Sequence, residues 1–140
     1  RPAARALMLF LDTSALLKRY VEEDGTALVL RRMSEDLEWV VSAVARTEAE
    51  ITLCRLGFDA SVDAAATSSL AADWEHCHVV PMDPACLARA AELGCRYDVR
   101  TLDALHLAAA DRLPQPLVLL TFDRRQADAA RAMGLTVEGT

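Results

Sequence analysis

The sequence has few aromatic residues, no paired cysteines and little positive charge. Only 5% of its 140 residues are Phe, Trp or Tyr, so a core must be built from the aliphatic side chains among the 53% that are hydrophobic. The four cysteines form no C-x-x-C pair, which argues against a zinc site and favours a reducing, cytoplasmic setting. No apolar run approaches the roughly 20 residues that cross a bilayer, so we expect no membrane segment.

The charge of the chain argues against one obvious function. The net charge is −6 and Lys18 is the only lysine. Nucleic-acid affinity normally comes from Lys and Arg side chains that neutralise phosphates, so the composition does not favour a nucleic-acid binder. Any such function needs a source of positive charge that the composition does not show.

Apolar runs and helical segments alternate along the chain. Runs with the character of strands lie at 7–11, 39–42, 77–80, 117–121 and 135–138. Segments with helical character lie at 14–20, 26–36, 43–57, 59–75, 84–94, 102–112 and 124–133. This alternation predicts an α/β fold with a central parallel sheet of about five strands flanked by helices. We expect one domain over residues 7–138, with residues 1–6 as an N-terminal extension or a remnant of a preceding segment.

Two of the apolar strands end in the same way. LMLFL runs into Asp12 and LVLLTF into Asp123, and each aspartate precedes a helix. In open parallel sheets, ligands bind beyond the carboxyl ends of the strands, which makes both residues candidates for a site. Helix capping is the alternative, because Asp is among the best N-cap residues.

Two further acids lie on predicted helices. Glu48 lies past the first turn of its helix, on the edge of an apolar face, so capping does not explain it; a contact to Arg55 is the alternative. Asp103 lies in the first turn of its helix, where the dipole alone could explain an acid and Thr101 could be the cap. His106, three residues on, is interpreted as a packed, hydrogen-bonded histidine.

Taken together, these four acids favour a divalent cation. Mg²⁺ prefers oxygen ligands, keeps several waters and binds through one or two carboxylates together with substrate phosphate. Such an ion would also resolve the charge problem, because it reverses the local field that otherwise repels phosphate.

Four blocks of the sequence resemble the PIN-domain ribonucleases, and most closely the VapC toxins of toxin–antitoxin pairs. They are LFLDTSALLKRY, SAVARTEAEI, RTLDALHLAAA and LLTFDRRQADAARAMGL, and the likeness runs from Leu9 to Leu135. The resemblance implies a single PIN-like domain. Segment 58–75 is less typical and matches nothing that we can assign.

The resemblance also implies an activity and its residues. It implies a Mg²⁺- or Mn²⁺-dependent endoribonuclease toxin that hydrolyses RNA with metal-activated water, forms a homodimer and is blocked by a VapB-type antitoxin. The family's catalytic and metal-binding acids correspond to Asp12, Glu48, Asp103 and Asp123, with Asp12 and Asp103 as the main ligands. The hydroxyls expected to orient these acids or contact substrate are those of Thr13, Ser14 and Thr121, and the arginines expected to contact phosphate are Arg19, Arg46 and Arg100.

Two expectations remain open at this point. A non-catalytic PIN-like module that binds RNA or a partner is the alternative to a nuclease. The apolar faces of helices 14–20, 26–36 and 43–57 are predicted to form the groove for the antitoxin, where an amphipathic segment could lie.

Overall fold

A parallel sheet forms the centre of the molecule. The computed structural model describes residues 7–35 and 37–140, and within them the chain forms five strands and seven helices. The strands are β1 (Met8–Leu11), β2 (Glu38–Ser42), β3 (His78–Val80), β4 (Leu117–Leu120) and β5 (Thr136–Glu138). The helices are α1 (Thr13–Leu17), α2 (Thr26–Ser34), α3 (Val44–Arg55), α4 (Ala60–Trp74), α5 (Pro84–Tyr97), α6 (Thr101–Asp111) and α7 (Arg124–Ala132).

The order of the strands places a crevice beside β1. The sheet runs β3-β2-β1-β4-β5 and every neighbouring pair is parallel. From β1 the chain builds outwards to β2 and β3, and then returns to the other side of β1 as β4. The strand order therefore reverses between β1 and β4, and an open α/β sheet has its ligand crevice at such a point.

Two apolar layers cover the two faces of the sheet. Side chains of β1 alternate between them: Phe10 packs in one cluster with α5, α6 and α7, and Leu9 and Leu11 pack in the other with α1, α2 and α3. Leu119 of β4 belongs to the first cluster and Leu120 to the second, and both are completely buried. Burial on both faces explains why β1 and β4 are continuous apolar runs rather than alternating ones.

The α/β fold with a five-stranded parallel sheet is confirmed, and the helices differ from the predictions mainly at their ends. Helix α5 continues through Gly94 to Tyr97, because Gly94 allows close approach to α6: a Cβ placed there would lie 3.4 Å from the Cβ of Ala104. Helix α1 ends at Leu17 rather than residue 20, since Thr26 Oγ1 donates a hydrogen bond to the Lys18 carbonyl where the chain turns.

Two predictions concern the ends of the chain and membranes. The predicted extension at residues 1–6 lies outside the described residues, and the bounds 7–138 stay a prediction. Across the part of the chain that the structure describes, no helix has the length and apolar character required to cross a bilayer.

One polar network joins α4 to the turn after α1. Asp73 Oδ2 accepts hydrogen bonds from Arg19 Nε at 2.8 Å and from the Tyr20 hydroxyl at 2.7 Å. Burial alone would raise the pKa of the Asp73 carboxyl, but the hydrogen bonds from Arg19 and Tyr20 outweigh it and the pKa is lowered. The folded protein therefore favours the ionised form of this side chain.

We expect Asp73→Asn to lower the free energy of unfolding at pH 7 by about 1–2 kcal/mol, because hydrogen bonds to a charged group are lost at a partly solvated position. A carboxyl with a lowered pKa stabilises the folded protein at pH values above 3.8, its ordinary pKa. This stabilisation is lost as the pH falls through the lowered pKa. The difference between variant and wild type should therefore shrink under acid conditions. Urea unfolding between pH 3 and pH 7 measures it, with Asp24→Asn in an exposed loop as the control. A difference that does not change with pH would contradict this explanation.

Candidate active site

Asp12 lies at the end of β1 in the crevice between β1 and β4. Its side chain is 2% exposed. Oδ1 accepts hydrogen bonds from Ser14 Oγ at 2.7 Å and from the Ala15 backbone N–H at 2.9 Å, and Oδ2 accepts one from Thr121 Oγ1 at 2.5 Å. Asp12 therefore does cap α1, as the alternative interpretation held, but it is also buried far more deeply than capping requires.

The two hydroxyls that bind Asp12 also bind the chain beyond β4. Thr121 Oγ1 accepts a hydrogen bond from the Asp123 backbone N–H at 3.1 Å, and Ser14 Oγ accepts one from Phe122 N–H at 2.9 Å. The end of β4 is thereby linked to the start of α1 through side chains as well as through the sheet. Ser14 contacts Asp12 as expected of an orienting hydroxyl, whereas Thr121, which was expected to act beside Asp123, binds the Asp12 side chain as well as the Asp123 backbone.

Asp12 borders a cleft with a volume of about 700 Å³. The cleft brings together all four predicted acids, which arrive from different segments: the ends of β1 and β4, helix α3 and helix α6. Its lining residues are Asp12, Thr13, Ser14, Glu48, Val99, Arg100, Thr101, Leu102, Asp103, His106, Asp123 and Gln126.

Glu48 is bound by two side chains from other helices. Its Oε1 accepts a hydrogen bond from Thr13 Oγ1 at 2.8 Å and lies 2.7 Å from His106 Nε2. Burial would raise the pKa of the Glu48 carboxyl, but the contact with His106 and the bond from Thr13 outweigh it and the pKa is lowered. The alternative contact of Glu48 to Arg55 does not occur, whereas the predicted pair of Arg46 and Glu50 is present at 3.0 Å.

Asp103 and Asp123 have fewer partners. Within the described residues the nearest cationic group to the Asp103 carboxylate is Arg100 Nε at 3.9 Å, while Asp123 caps α7 by accepting the Gln126 backbone N–H at 3.0 Å. Burial raises the pKa of Asp103, and the negative charges of Asp123 and Asp12 raise it further against the opposing effect of Arg100. Negative charge in the cleft is thus incompletely compensated. The predicted cap of α6 was wrong: Arg100 is at the N-cap position and Thr101 is the first helical residue.

The chemistry of the donors fits a hydrated divalent cation. All four acids offer hard oxygen ligands, and their mutual repulsion at Asp103 is what a cation would relieve. Among residues 7–35 and 37–140, no group of three or more His, Cys, Asp or Glu side chains is placed to hold a metal ion. Mg²⁺ in proteins usually keeps several waters and takes only one or two carboxylates directly, and the four acids of the cleft offer ligands of this kind.

The predicted arginines do not share one location. Arg100 lines the cleft, whereas Arg19 binds Asp73 and Arg46 binds Glu50, and neither of these two is part of the cleft lining. Arg19 lies in the turn after α1 and Arg46 lies on α3, and each side chain binds a carboxylate outside the cleft. Only Arg100 is placed to contact a phosphate in this cleft.

Sequence reasoning did not assign a role in the site to His106 or Gln126. His106 is packed and hydrogen-bonded as predicted, but its partner is one of the four acids. Gln126 is 1% exposed in the first turn of α7 beside Asp123, and its Nε2 has no hydrogen-bond partner among the described residues. The only signal in the sequence was spacing: His106 lies three residues after Asp103, and Gln126 three residues after Asp123.

Comparison with known proteins gives three findings. The chain matches the PIN domain family over residues 9–132. It is 35% identical over 130 residues to "Ribonuclease VapC46" of Mycobacterium tuberculosis, covering 92% of this chain and 95% of that relative.

Several solved structures share the fold, and two of them serve as examples. One is M. tuberculosis VapC20, described as a sarcin-ricin loop cleaving toxin, with a TM-score of 0.70 and 19% identity over 86% of this chain and 94% of the other. The second is VapBC2 from Rickettsia felis bound to a promoter DNA fragment, with a TM-score of 0.67 and 14% identity over 94% of this chain and 97% of the other. At these identities the likeness is one of fold.

The burial of Asp12 predicts how the thermal stability of the protein depends on pH when no divalent cation is present. Burial raises the pKa of the Asp12 carboxyl more than its hydrogen bonds lower it. A carboxyl with a raised pKa stabilises the folded protein at pH values below its ordinary pKa. This stabilisation is lost as the pH rises through the raised pKa. We therefore expect Asp12→Asn to unfold at a higher temperature than wild type in chelator at pH 7.

The gain from Asp12→Asn should disappear in acid, where the wild-type carboxyl is protonated. Thermal unfolding between pH 4 and pH 8 measures it, with Asp128→Asn on the exposed face of α7 as the control. An Asp12→Asn variant that is less stable than wild type at pH 7 would mean that the hydrogen bonds outweigh the cost of burial.

Proposed function

The chain belongs to the PIN domain family, and on that premise we propose that it is a metal-dependent endoribonuclease acting as the toxin of a toxin–antitoxin pair. One observation carries the proposal. Four carboxylates from separate segments line one cleft, in a chain 35% identical to a ribonuclease over nearly its whole length. The proposed substrate is RNA and the proposed setting is the cytoplasm.

The cation in this proposal is Mg²⁺, with Mn²⁺ as the alternative. Asp12, Asp103, Asp123 and Glu48 are the residues that would hold it, directly or through its waters. When bound, such an ion supplies positive charge for the phosphate and lowers the pKa of water. Burial raises the pKa of Asp103 and the charges of Asp123 and Asp12 raise it further, so a cation bound beside it would favour its ionised form.

The protein's own side chains have separate tasks in the proposed reaction. The exposed Arg100 at the rim of the cleft draws in a phosphate of the RNA strand against the negative net charge. Asp12 is held rigidly by Ser14, Ala15 and Thr121, so it provides a fixed point against which the reacting phosphate is positioned. Glu48, in the same cleft, is held by its contacts to Thr13 and His106.

We expect Asp12→Asn and Asp103→Asn each to reduce RNA cleavage by on the order of 10²-fold or more, the loss typical of removing one group that stabilises a transition state electrostatically. Purified protein is incubated with end-labelled RNA and Mn²⁺, and chelator should stop the reaction. Hydrolysis by water leaves 5′-phosphate ends, whereas attack by the 2′-hydroxyl of the RNA leaves a cyclic phosphate.

The acidic Glu75, exposed at the end of α4 and absent from the cleft lining, provides the matched control as Glu75→Gln. Undiminished cleavage by both Asp variants would rule out the nuclease assignment. Wild-type protein that binds RNA but does not cut it with Mn²⁺ would support the non-catalytic binding module instead.

A second groove is the proposed docking site for a VapB-type antitoxin. Its volume is about 590 Å³, and its apolar lining comes from Leu30 of α2 and a stripe of α4 that contains Val62, Ala65 and Ala66. Leu30 and Val62 are 42% and 45% exposed, which is unusual for large aliphatic side chains that face each other across a groove. An amphipathic segment of the antitoxin is the proposed occupant.

The walls of this groove differ from the prediction. Helix α3 was expected to contribute, but none of its residues lines this groove: Ala45, Ala49 and Leu53 are buried, and the exposed Ile51 is not part of the lining. The second wall is α4, within the segment 58–75 that the family resemblance left unassigned. Antitoxin complexes among the solved structures of this fold support the partner, and the homodimer stays a prediction.

We expect Ala65→Arg to prevent neutralisation of the toxin, because a long charged side chain would fill the apolar groove. Ala64→Arg is the matched control, since Ala64 is an exposed neighbour on α4 that does not line the groove. Each variant is expressed with the antitoxin candidate encoded beside it, and growth and co-purification are measured. Equal neutralisation of Ala65→Arg and Ala64→Arg would place the antitoxin elsewhere.

A further inference from the structure

One imidazole in the lining of the cleft connects three helices. His106 of α6 is 2% exposed, one turn after Asp103. Its Nε2 lies 2.7 Å from Oε1 of Glu48 on α3 and 3.1 Å from Oγ1 of Thr13 at the start of α1. Thr13 Oγ1 itself donates to the same Glu48 oxygen at 2.8 Å. His106 Nε2, Thr13 Oγ1 and Glu48 Oε1 therefore form a triangle in which each atom contacts the other two.

The direction of the hydrogen bonds in this triangle follows from which atoms carry protons. The Glu48 carboxylate can only accept, so the proton must lie on His106 Nε2. Thr13 has one proton, which it gives to Glu48, so its oxygen is left to accept a share of the Nε2–H. His106 Nδ1 has no partner among the described residues, and a proton on that buried atom would have no acceptor. The hydrogen bonds among these three side chains therefore require a proton on Nε2.

From this geometry we infer that His106 is a positioning residue: its Nε2–H holds Oε1 of Glu48 so that Oε2 is presented to the cleft. Oε2 makes no hydrogen bond to any residue that the structure describes, whereas Oε1 has two. The inference rests on the proposed function, because it assigns Glu48 a task toward the cation. His106 itself has no contact with the cleft's other acids in the hydrogen-bond network of the described residues.

Glu48 requires such support because of its length and exposure. A glutamate has three side-chain torsions, and ordering them when a ligand binds has an entropic cost. This cost is lower when neighbouring side chains already hold the glutamate in its binding conformation. The Glu48 side chain is 24% exposed, so packing alone does not restrain it. Asp12 in the same cleft is restrained by three hydrogen bonds, and His106 and Thr13 supply the equivalent restraint for Glu48.

Two amide substitutions separate positioning from simple packing. The side-chain nitrogen of Gln can reach the place of Nε2, whereas that of Asn reaches only the place of Nδ1. We therefore expect His106→Asn to weaken Mn²⁺ binding by about 10-fold or more, the usual effect of removing a residue that orients a ligand group. His106→Gln should stay within a few-fold of wild type. Calorimetric titration with Mn²⁺ measures both, alongside thermal unfolding to establish that each variant is folded.

A double substitution tests whether the effect acts through Glu48. In the Glu48→Gln background, His106→Asn should produce no further loss of Mn²⁺ affinity, because the oxygen that it holds is no longer a carboxylate. If His106→Asn does not fold, Thr13→Val removes the other donor to the same oxygen at a half-buried position and should weaken Mn²⁺ binding in the same direction. Wild-type affinity in Thr13→Val would then overturn the inference.

The remaining outcomes separate this inference from the proposed function. Equal Mn²⁺ affinity for wild type, His106→Asn and His106→Gln overturns the positioning role, even if the wild type cuts RNA. A wild type that cuts no RNA but binds Mn²⁺ in a manner that depends on His106 supports the positioning role and overturns the nuclease. A wild type that binds no Mn²⁺ overturns both.

Discussion

A carboxylate buried at the ends of two neighbouring parallel strands is the constraint on which the rest of the molecule depends. An ionised group at 2% exposure is tolerated only with full hydrogen bonding, and Asp12 obtains this from Ser14, Ala15 and Thr121. Those donors come from both sides of the crevice, so the residue that is most costly to bury also joins β1 to the segment after β4. A bound cation would neutralise the negative charge that remains in the cleft.

Capping and ligand binding proved to be compatible roles for the strand-end aspartates. Asp12 and Asp123 each accept a backbone N–H from the first turn of the following helix, which uses one carboxylate oxygen. The second oxygen is available for a different task, and in Asp12 it binds Thr121. An Asp between a strand and a helix can therefore cap the helix with one oxygen and offer the other to a site, and no separate loop is needed.

The sequence allowed the sheet and the four acids to be predicted because both are encoded locally. Continuous apolar runs mark strands buried on two faces, and acids at strand ends or inside apolar helices are conspicuous. The partners of side chains were less predictable, since they depend on which helices meet. Arg19 and Arg46 have carboxylate partners outside the cleft, and His106 contacts an acid that lies 58 residues earlier in the chain. Periodicity places a residue on a face of its helix but does not identify what that face meets.

The hydroxyls shared between the two strand ends have a mechanical consequence. Ser14 and Thr121 each contact Asp12 and also a backbone N–H beyond β4. These hydrogen bonds therefore join the segment after β1 to the segment after β4. Glu48 and Asp103 belong to α3 and α6, and Glu48 is joined to the start of α1 by Thr13 and to α6 by His106. Any movement of α3 that widens the cleft for a bound strand would therefore have to carry α6 and the start of α1 with it, or break these two contacts.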